Sequence, residues 1–167
     1  MRHGNGKYTY NVKAEEGTND GVYTGCWKQN LRSGIGKQTY PGVGMYYGYW
    51  ENGERHGEGV MSYENKDLYS GNWSCGQKDG KGTYTFAQTN EKYVGHFMKG
   101  QMTHGKWQQC NGDFFQGNFD NNKPKGAGCW TFKNGNKVNG VYKQTQCADK
   151  AADDVMLSWQ TTSDISA

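Results

Sequence analysis

The sequence is poor in the residues that build an ordinary hydrophobic core. Leu, Ile and Val are scarce, there are only two prolines, and hydrophobic residues of every kind make up 33% of the 167 residues. No apolar run approaches the ~20 residues that a membrane-spanning helix needs. Such polarity would suggest disorder, but disordered chains are poor in aromatic residues, which here make up 14%. Apolar burial must therefore come from Trp, Tyr and Phe.

Charge and cysteine content narrow the functional classes further. The net charge is +3, and no run of five or six like charges occurs, so charge alone gives no indication of nucleic-acid binding. No signal peptide is visible in residues 1–10. The five cysteines are odd in number and include no Cys-x-x-Cys pair, which indicates free thiols in a reducing compartment such as the cytoplasm.

Glycine, in contrast, is abundant, and many of its 26 copies fall into a repeat. An aromatic-x-Gly-x-aromatic pattern begins at Tyr23 and recurs every 22 to 24 residues, ending in a degenerate copy at Val138. A second pattern, Gly-x-Gly-x-x-x-aromatic, follows most copies and also occurs at Gly4. Six starts at near-constant spacing are the strongest signal in the sequence. The signature positions are Tyr23, Gly25 and Trp27 with Gly34, Gly36 and Tyr40; Tyr46, Gly48 and Trp50 with Gly57, Gly59 and Tyr63; Tyr69, Gly71 and Trp73 with Gly80, Gly82 and Phe86; Tyr93, Gly95 and Phe97; and Phe115, Gly117 and Phe119 with Gly126, Gly128 and Phe132.

The alternation of side chains along a strand gives the repeat a physical meaning. It predicts that Tyr46, Gly48 and Trp50 share one face of a strand, and that Gly57 and Gly59 share the same face of the next. An Asn-Gly pair in the link between them predicts a tight turn, so each repeat is interpreted as a β-hairpin. The glycines leave room for rings to lie across the backbone, and each ring buries ~150–250 Å². One hairpin is marginal alone, but stacked hairpins stabilise one another.

These observations predict an all-β protein built as a single-layer, twisted antiparallel sheet of stacked hairpins. The open array covers residues 1–142 and contains about six hairpins, of which the first is partial. Residues 11–20 are predicted to extend one hairpin tip. The copy around Gly105 lacks its paired glycine, so a bulge or kink is expected there.

Residues 143–167 are predicted to form a short C-terminal cap or tail, helical or extended, whose Ser/Thr-rich end is flexible. A short helix could cover residues 148–159, since three apolar residues there would lie on one face. Two interpretations of this segment stay open. It either covers the last edge of the sheet or docks to a partner.

No catalytic, cofactor or metal site is expected. The paired glycines lack the following helix and the Lys-Ser/Thr of a phosphate-binding loop, and no nucleophile–base motif occurs. His3, His56 and His104 lie near predicted turns without Cys at ligand spacing. The function is therefore expected to be non-enzymatic.

Two kinds of binding surface are candidates. Lys37, Lys81 and Lys106 follow glycines and could form a basic strip for acidic phospholipids. An aromatic sheet face of one layer could instead hold a partner protein. The candidate partner-binding residues are Tyr8, Trp27, Trp50, Tyr63, Trp73, Tyr84, Phe97, Trp107, Trp130 and Trp159.

Two stretches, YYGYWENGERHGEG (46–59) and YSGNWSCGQKDGKGTYTF (69–86), resemble the MORN repeat, whose motif is Y-x-G-x-W followed by G-x-G. The resemblance covers residues 1–142 and implies the hairpin array described above. The segments TNEKYVGHFMKGQ (89–101) and FFQGNFDNNKPKGAGCWTF (114–132) are similar, more narrowly, to the closing repeats of MORN-type radial spoke head proteins of motile cilia and flagella.

The narrower resemblance implies a structural role in the axoneme. It suggests a scaffold subunit of the radial spoke head, located in the cytoskeleton of the cilium or flagellum, that takes part in regulating motility. Its implied partners are the other spoke head proteins, of the 4/6 type and the 9 type. The alternative is a membrane-associated MORN adaptor that binds acidic phospholipids.

Overall fold

A computed structural model describes residues 1–13, 18–146 and 155–162 of the chain. These residues form thirteen antiparallel strands, in sequence order, in one open sheet without a helix. The all-β, single-layer array that the sequence predicts is confirmed. In the described residues there is no helix that is long and apolar enough to cross a membrane. The strands are β1 (Gly4–Lys13), β2 (Thr18–Lys28), β3 (Leu31–Tyr40), β4 (Gly44–Glu51), β5 (Glu54–Tyr63), β6 (Leu68–Ser74), β7 (Gln77–Thr85), β8 (Lys92–Met98), β9 (Gln101–Gln108), β10 (Phe114–Asp120), β11 (Lys123–Thr131), β12 (Lys137–Gln146) and β13 (Val155–Thr161).

One edge of the array consists of two-residue turns with positive φ at both positions, the geometry of type I′ hairpins. The predicted Asn-Gly turn is one of them. Each of these turns is hydrogen-bonded to the start of the strand that follows the preceding turn: the Gly53 amide donates to the Arg32 carbonyl (3.0 Å), and the Gly76 amide donates to the Arg55 carbonyl (3.1 Å). Each hairpin is thereby tied to the next. The turns are Gln29-Asn30, Asn52-Gly53, Cys75-Gly76, Lys99-Gly100 and Asn121-Asn122.

Glycines face glycines across twelve strands, and we call this line the glycine row. The ring of Tyr46 lies over two of its members. A Cβ on Gly59 would lie 2.2 Å from Tyr46 Oη, and one on Gly48 would lie 2.5 Å from Gly59 Cα. A residue with a side chain therefore does not fit there without movement of the ring or the backbone. The row contains Gly6, Gly25, Gly36, Gly48, Gly59, Gly71, Gly82, Gly95, Gly105, Gly117, Gly128 and Gly140.

The first glycine of each Gly-x-Gly pair has a different role from the second. Gly57 has a φ of 58° and lies opposite the point where the β4–β5 register shifts, between Gly48 and Trp50. A Cβ on Gly57 would lie 3.5 Å from Tyr49, whose ring is on the exposed face. The prediction that Gly57 and Gly59 share a face is therefore wrong, because a bulge interrupts the alternation. Positive φ also occurs at Gly34, Gly80 and Gly126.

Aromatic rings on one face form the core, and we call them the aromatic ladder. Each ladder tyrosine contacts the tryptophan or phenylalanine of its own hairpin and that of the next, as Tyr46 does with Trp50 (5.3 Å between centroids, 89° between planes) and Trp73 (5.2 Å, 81°). Edge-to-face contact of this kind is the favoured arrangement of aromatic pairs. The ladder contains Trp27, Tyr23, Trp50, Tyr46, Trp73, Tyr69, Phe97, Tyr93, Phe119 and Phe115.

Both irregularities predicted in the array are present. The β1–β2 pairing continues to Lys13 and Thr18, so the hairpin is extended as expected, and residues 14–17 of its tip lie outside the described residues. At the fifth copy Gly105 pairs with Gly95 in the glycine row, and the register shifts between His96 and Phe97. A bulge is therefore present at the fifth copy, but register shifts also interrupt the β2–β3, β4–β5, β6–β7 and β10–β11 pairs, so the bulge is a general feature of these hairpins and not special to this copy.

The C-terminal segment ends the ladder as a strand. β13 pairs with β12, and a Cβ on Gly140 would lie 2.4 Å from the Trp159 ring. The centroid of that ring is 4.7 Å from that of Tyr142. The helix expected over residues 148–159 is wrong at Val155–Trp159, because β12 offers a row of unsatisfied backbone groups that only a strand can pair. Residues 147–154 and 163–167 lie outside the described part, and Cys147 with them.

Substitution of glycines at matched positions tests this account. We expect Gly59→Ala to lower the free energy of unfolding by about 1–3 kcal/mol, as overpacking does in cores. Gly6→Ala is the control, since its Cβ would meet Trp27 at an ordinary 3.6 Å and the change should be nearly neutral. Urea midpoints measure both. Equal midpoints for the two variants would contradict the role assigned to the glycine row.

Candidate partner-binding face

The face of the sheet that carries the ladder, here called the ring face, also holds a second set of rings. Tyr84 is paired with both Tyr69 and Tyr93, so its ring lies on the same face as theirs. It contacts Phe86 at 4.8 Å and Tyr63 at 5.8 Å between centroids. These outer rings are less covered than the ladder. Those packed against the ladder while partly exposed are Tyr40, Tyr63, Tyr84, Phe86, Trp107, Trp130, Tyr142 and Trp159.

The ten candidate partner-binding residues divide between the two sets. Four belong to the ladder, expose at most 9% of their area and offer little surface to a partner: Trp27, Trp50, Trp73 and Phe97. Tyr8 is 38% exposed. The other five are half-buried and accessible on the ring face: Tyr63, Tyr84, Trp107, Trp130 and Trp159.

Four cations occupy equivalent places on the ring face, two residues before a glycine with positive φ. We call them the cation row: Arg2, Arg32, Arg55 and Lys78. The guanidinium carbon of Arg32 lies 4.3 Å from the centroid of the Trp50 ring, and that of Arg55 lies 4.4 Å from the Trp73 ring. Lys78 Nζ is 4.8 Å from the Tyr84 ring. Cations over ring faces at these distances are electrostatically attracted to them.

The two central cations, Arg32 and Arg55, donate to neutral acceptors. Arg32 donates to Gln38 Oε1 (3.0 Å) and to the Gly53 carbonyl (2.7 Å), and Arg55 donates to the Gly76 carbonyl. Burial, and then the charge of Arg55, lower the pKa of Lys78. Within the described ranges the ion pairs are His56 with Glu51 and Lys125 with Asp120, so the cation row has no carboxylate partner there.

The cation row ends after β7. At the equivalent positions of β9 and β11, opposite Phe97 and Phe119, lie Met102 and Pro124. Both are buried. This end of the ring face has a pocket of 210 Å³, which is lined mainly by apolar side chains: Phe86, Tyr93, Met102, Trp107, Phe119, Pro124 and Leu157. The ring face thus has a cationic end and an apolar end.

The cation row was not predicted from the sequence, because the basic residues considered there were the lysines that follow glycines. Those lysines lie on the opposite face. Lys37 and Lys81 are exposed, and Lys106 lies with Nζ 3.6 Å from the Phe114 ring. Lys81 precedes Gly82 of the glycine row, whereas Lys37 and Lys106 follow a member of it, so they do not form one strip. The signal for the cation row was a basic residue two positions before the Gly-x-Gly pairs that begin at Gly4, Gly34, Gly57 and Gly80.

Comparison with known families gives the repeat a name. The model of the MORN repeat matches residues 1–12, 23–42, 46–68, 69–90 and 115–137, more than half of the chain. The chain belongs to the MORN-repeat family. No curated protein matches it significantly.

One MORN hairpin escapes the family match. β8 and β9 lie outside the matched segments, yet Tyr93 keeps its place in the ladder and Gly105 its place in the glycine row. The hydroxyl of Tyr93 donates to the nearer carbonyl, that of His104 (2.8 Å), and also lies 3.1 Å from the carbonyl oxygen of His96. Between Met102 and Gly105, β9 is one residue shorter than β5 is between Arg55 and Gly59, and it lacks the first glycine. The sequence pattern is weak here for this reason.

A buried carboxylate joins neighbouring MORN repeats at the edge opposite the tight turns. Asp67 Oδ1 accepts from the Ala87 amide (2.8 Å), and Oδ2 accepts from the Tyr84 hydroxyl (2.8 Å) and from Asn65 Nδ2 (2.9 Å). Burial favours the neutral acid, but these hydrogen bonds outweigh it and hold the pKa of Asp67 below its usual value. Asp67 was not predicted from the sequence, although the Asn-x-Asp pattern that contains it recurs there.

Asp67 can be tested against its counterpart in a later repeat. Asp67→Ala should lower the free energy of unfolding by about 2–3 kcal/mol, because it leaves donors to a charged acceptor unsatisfied. Since its pKa is lower in the folded state, this contribution is complete above about pH 4 and is lost as pH falls through the folded value. Asp113→Ala is the control. Asp113 accepts from the Lys133 amide and Asn111 but from no tyrosine, so its loss should be smaller. Urea titrations at several pH values measure both.

The ladder tyrosines make the array sensitive to alkali. Burial raises the pKa of Tyr23 and Tyr93 to about 12 and also raises that of Tyr46 and Tyr69. The contribution of these tyrosines to the free energy of unfolding is therefore fully present below about pH 10, the pKa of tyrosine in the unfolded chain. It is lost as the pH rises from 10 to about 12. Absorbance of phenolate and near-ultraviolet circular dichroism should change together in this window. Full ionisation near pH 10 with the dichroism retained would contradict the burial of these hydroxyls.

Proposed function

We propose that this MORN protein is a non-enzymatic scaffold subunit of the radial spoke head in motile cilia and flagella. It would hold other spoke head proteins, of the 4/6 type and the 9 type, on its ring face and contribute to the regulation of axonemal motility. MORN repeats are typical of protein-interaction or membrane-associated roles. The observation that carries the protein-binding role is the accessible ring face, whose cations have only neutral acceptors among the described residues.

The likeness to radial spoke head protein 1 supplies the specific assignment. It rests on the T-x-x-K-Y-V-G copy, the degenerate copy and the N-x-P-x-G-x-G copy in the closing repeats. In the fold these copies form strands β8 to β11, which include the apolar end of the ring face. Asn122 Oδ1 accepts from the Met102 amide (2.9 Å), and Pro124 is buried opposite Phe119. The shared motif therefore shapes one part of the proposed binding face.

A membrane-associated adaptor for acidic phospholipids is the second candidate. The cation row and the exposed Lys37 and Lys81 favour it. Against it stands the division of these charges between the two faces, since a bilayer can contact only one face at a time. We therefore prefer the protein scaffold.

Fractionation of ciliated cells that express the tagged protein tests the assignment. We expect the protein to stay in the axoneme after detergent extraction and to leave only at high salt or with a chaotrope. Cross-linking then identifies its neighbours. Release into the detergent extract would favour the phospholipid adaptor, and absence from cilia would overturn the spoke-head assignment.

A charge-matched pair of variants shows whether the ring face is responsible. The double variant Arg32→Gln/Arg55→Gln removes two cations from the ring face and should weaken axonemal retention. Lys37→Gln/Lys81→Gln removes the same charge from the opposite face and should leave retention unchanged. Equal retention of the two variants would show that the ring face does not hold the protein in place.

A further inference from the structure

We propose that the ring face binds an acidic segment of a partner protein in polyproline II conformation, with a carboxylate at every third residue and one bulky apolar residue beyond them. The segment runs along the array, across the strands. This inference rests on the proposed scaffold function and gives the chemistry of the partner. It combines the charge, the spacing and the end of the cation row.

Charge is the first argument. Four cations lie on one face, and the described residues supply no carboxylate to them. Arg32 uses only part of the donor capacity of its guanidinium on Gln38 and Gly53, since this group carries five N–H donors. The rings beneath the cations exclude water from one side, and hydrogen bonds between charged groups are stronger in such surroundings. An acidic chain therefore complements this surface.

Spacing is the second argument. Arg32, Arg55 and Lys78 lie in β3, β5 and β7, so one strand separates each cation from the next. With strands ~4.8 Å apart, the cations recur every ~9.6 Å. A polyproline II helix rises ~3.1 Å per residue with three residues per turn, so every third side chain points the same way at ~9.3 Å. In an extended strand, same-side residues recur at ~6.7 Å and do not match the row.

The end of the row is the third argument. Met102 holds the next position after Lys78, because it pairs with Phe97 as Lys78 pairs with Trp73. Beside it lies the apolar pocket of 210 Å³, between Trp107, Phe119 and Pro124. One step of the same spacing beyond the last carboxylate, the partner would place an apolar side chain there. The sequence of the partner segment is thus acidic-x-x, repeated, followed by a residue such as Leu.

The binding test uses the full chain and a fluorescein-labelled peptide of four Glu-Pro-Ser triplets followed by Leu, together with the peptide of reversed order. A peptide of the same composition with Glu at every second position is the control. Fluorescence anisotropy should give a dissociation constant about tenfold lower for one of the triplet peptides than for the control. Equal affinities would overturn the spacing, and binding of neither peptide would overturn the proposal.

A swap at Met102 tests the order of the row. Met102→Lys places in β9 the side chain that Lys78 already presents in β7. The near-ultraviolet circular dichroism of the variant, compared with that of the parent chain, checks that the sheet is kept. The variant should bind the Leu-ended peptide several-fold more weakly and a Glu-ended version several-fold more tightly. No change in this preference would overturn the assignment of the pocket.

The outcomes of these experiments also distinguish a failure of this inference from a failure of the proposed function. Arg32→Gln/Arg55→Gln should weaken triplet binding about tenfold, and Lys37→Gln/Lys81→Gln should not. Binding to phosphatidylserine vesicles but to no peptide would assign the cation row to lipid and overturn the inference. Axonemal retention without peptide binding would overturn the inference alone, whereas peptide binding by a protein absent from cilia would overturn the spoke-head role alone.

Discussion

The whole sheet depends on the contact between a tyrosine ring and two glycines. The ring of Tyr46 lies across Gly48 and Gly59, and its hydroxyl donates to the Tyr49 carbonyl (2.9 Å). In this position the ring reaches Trp50 on one side and Trp73 on the other. One contact thereby closes a hairpin and joins it to the next, which is how a single layer with few aliphatic residues obtains a core.

The same contact leaves the other positions of the repeat free to vary. Lys78, Met102 and Pro124 occupy equivalent places beside the ladder, yet they give that face cationic or apolar character. Gln38 and Met61 likewise replace one another beside the ladder tyrosines, and both are buried. Chemistry can change along the ring face while the fold stays constant, because stability comes from the ring and the glycines.

Much of the fold could be predicted, because the alternation of side chains along a strand and the spacing of the repeats can be read from the sequence alone. The hairpins, the extended tip and the bulge near Gly105 follow from them. The role of Gly57 could not be derived, since a bulge reverses the alternation on which the argument rested. The burial of Trp50 and the exposure of Tyr63 were also inaccessible, because both rings are on the same face and only their three-dimensional packing separates them. The strand at Val155 depends on an edge that local periodicity does not describe.

Because each tyrosine reaches only the next hairpin, one repeat can be removed or added without disturbing the ones beyond it. A repeat of about 23 residues adds two strands, or ~9.6 Å, to the array. The number of repeats therefore sets a length, in steps of fixed size, between whatever is bound at the two ends. A protein of this kind can act as a molecular ruler, whose length is set by its number of hairpins.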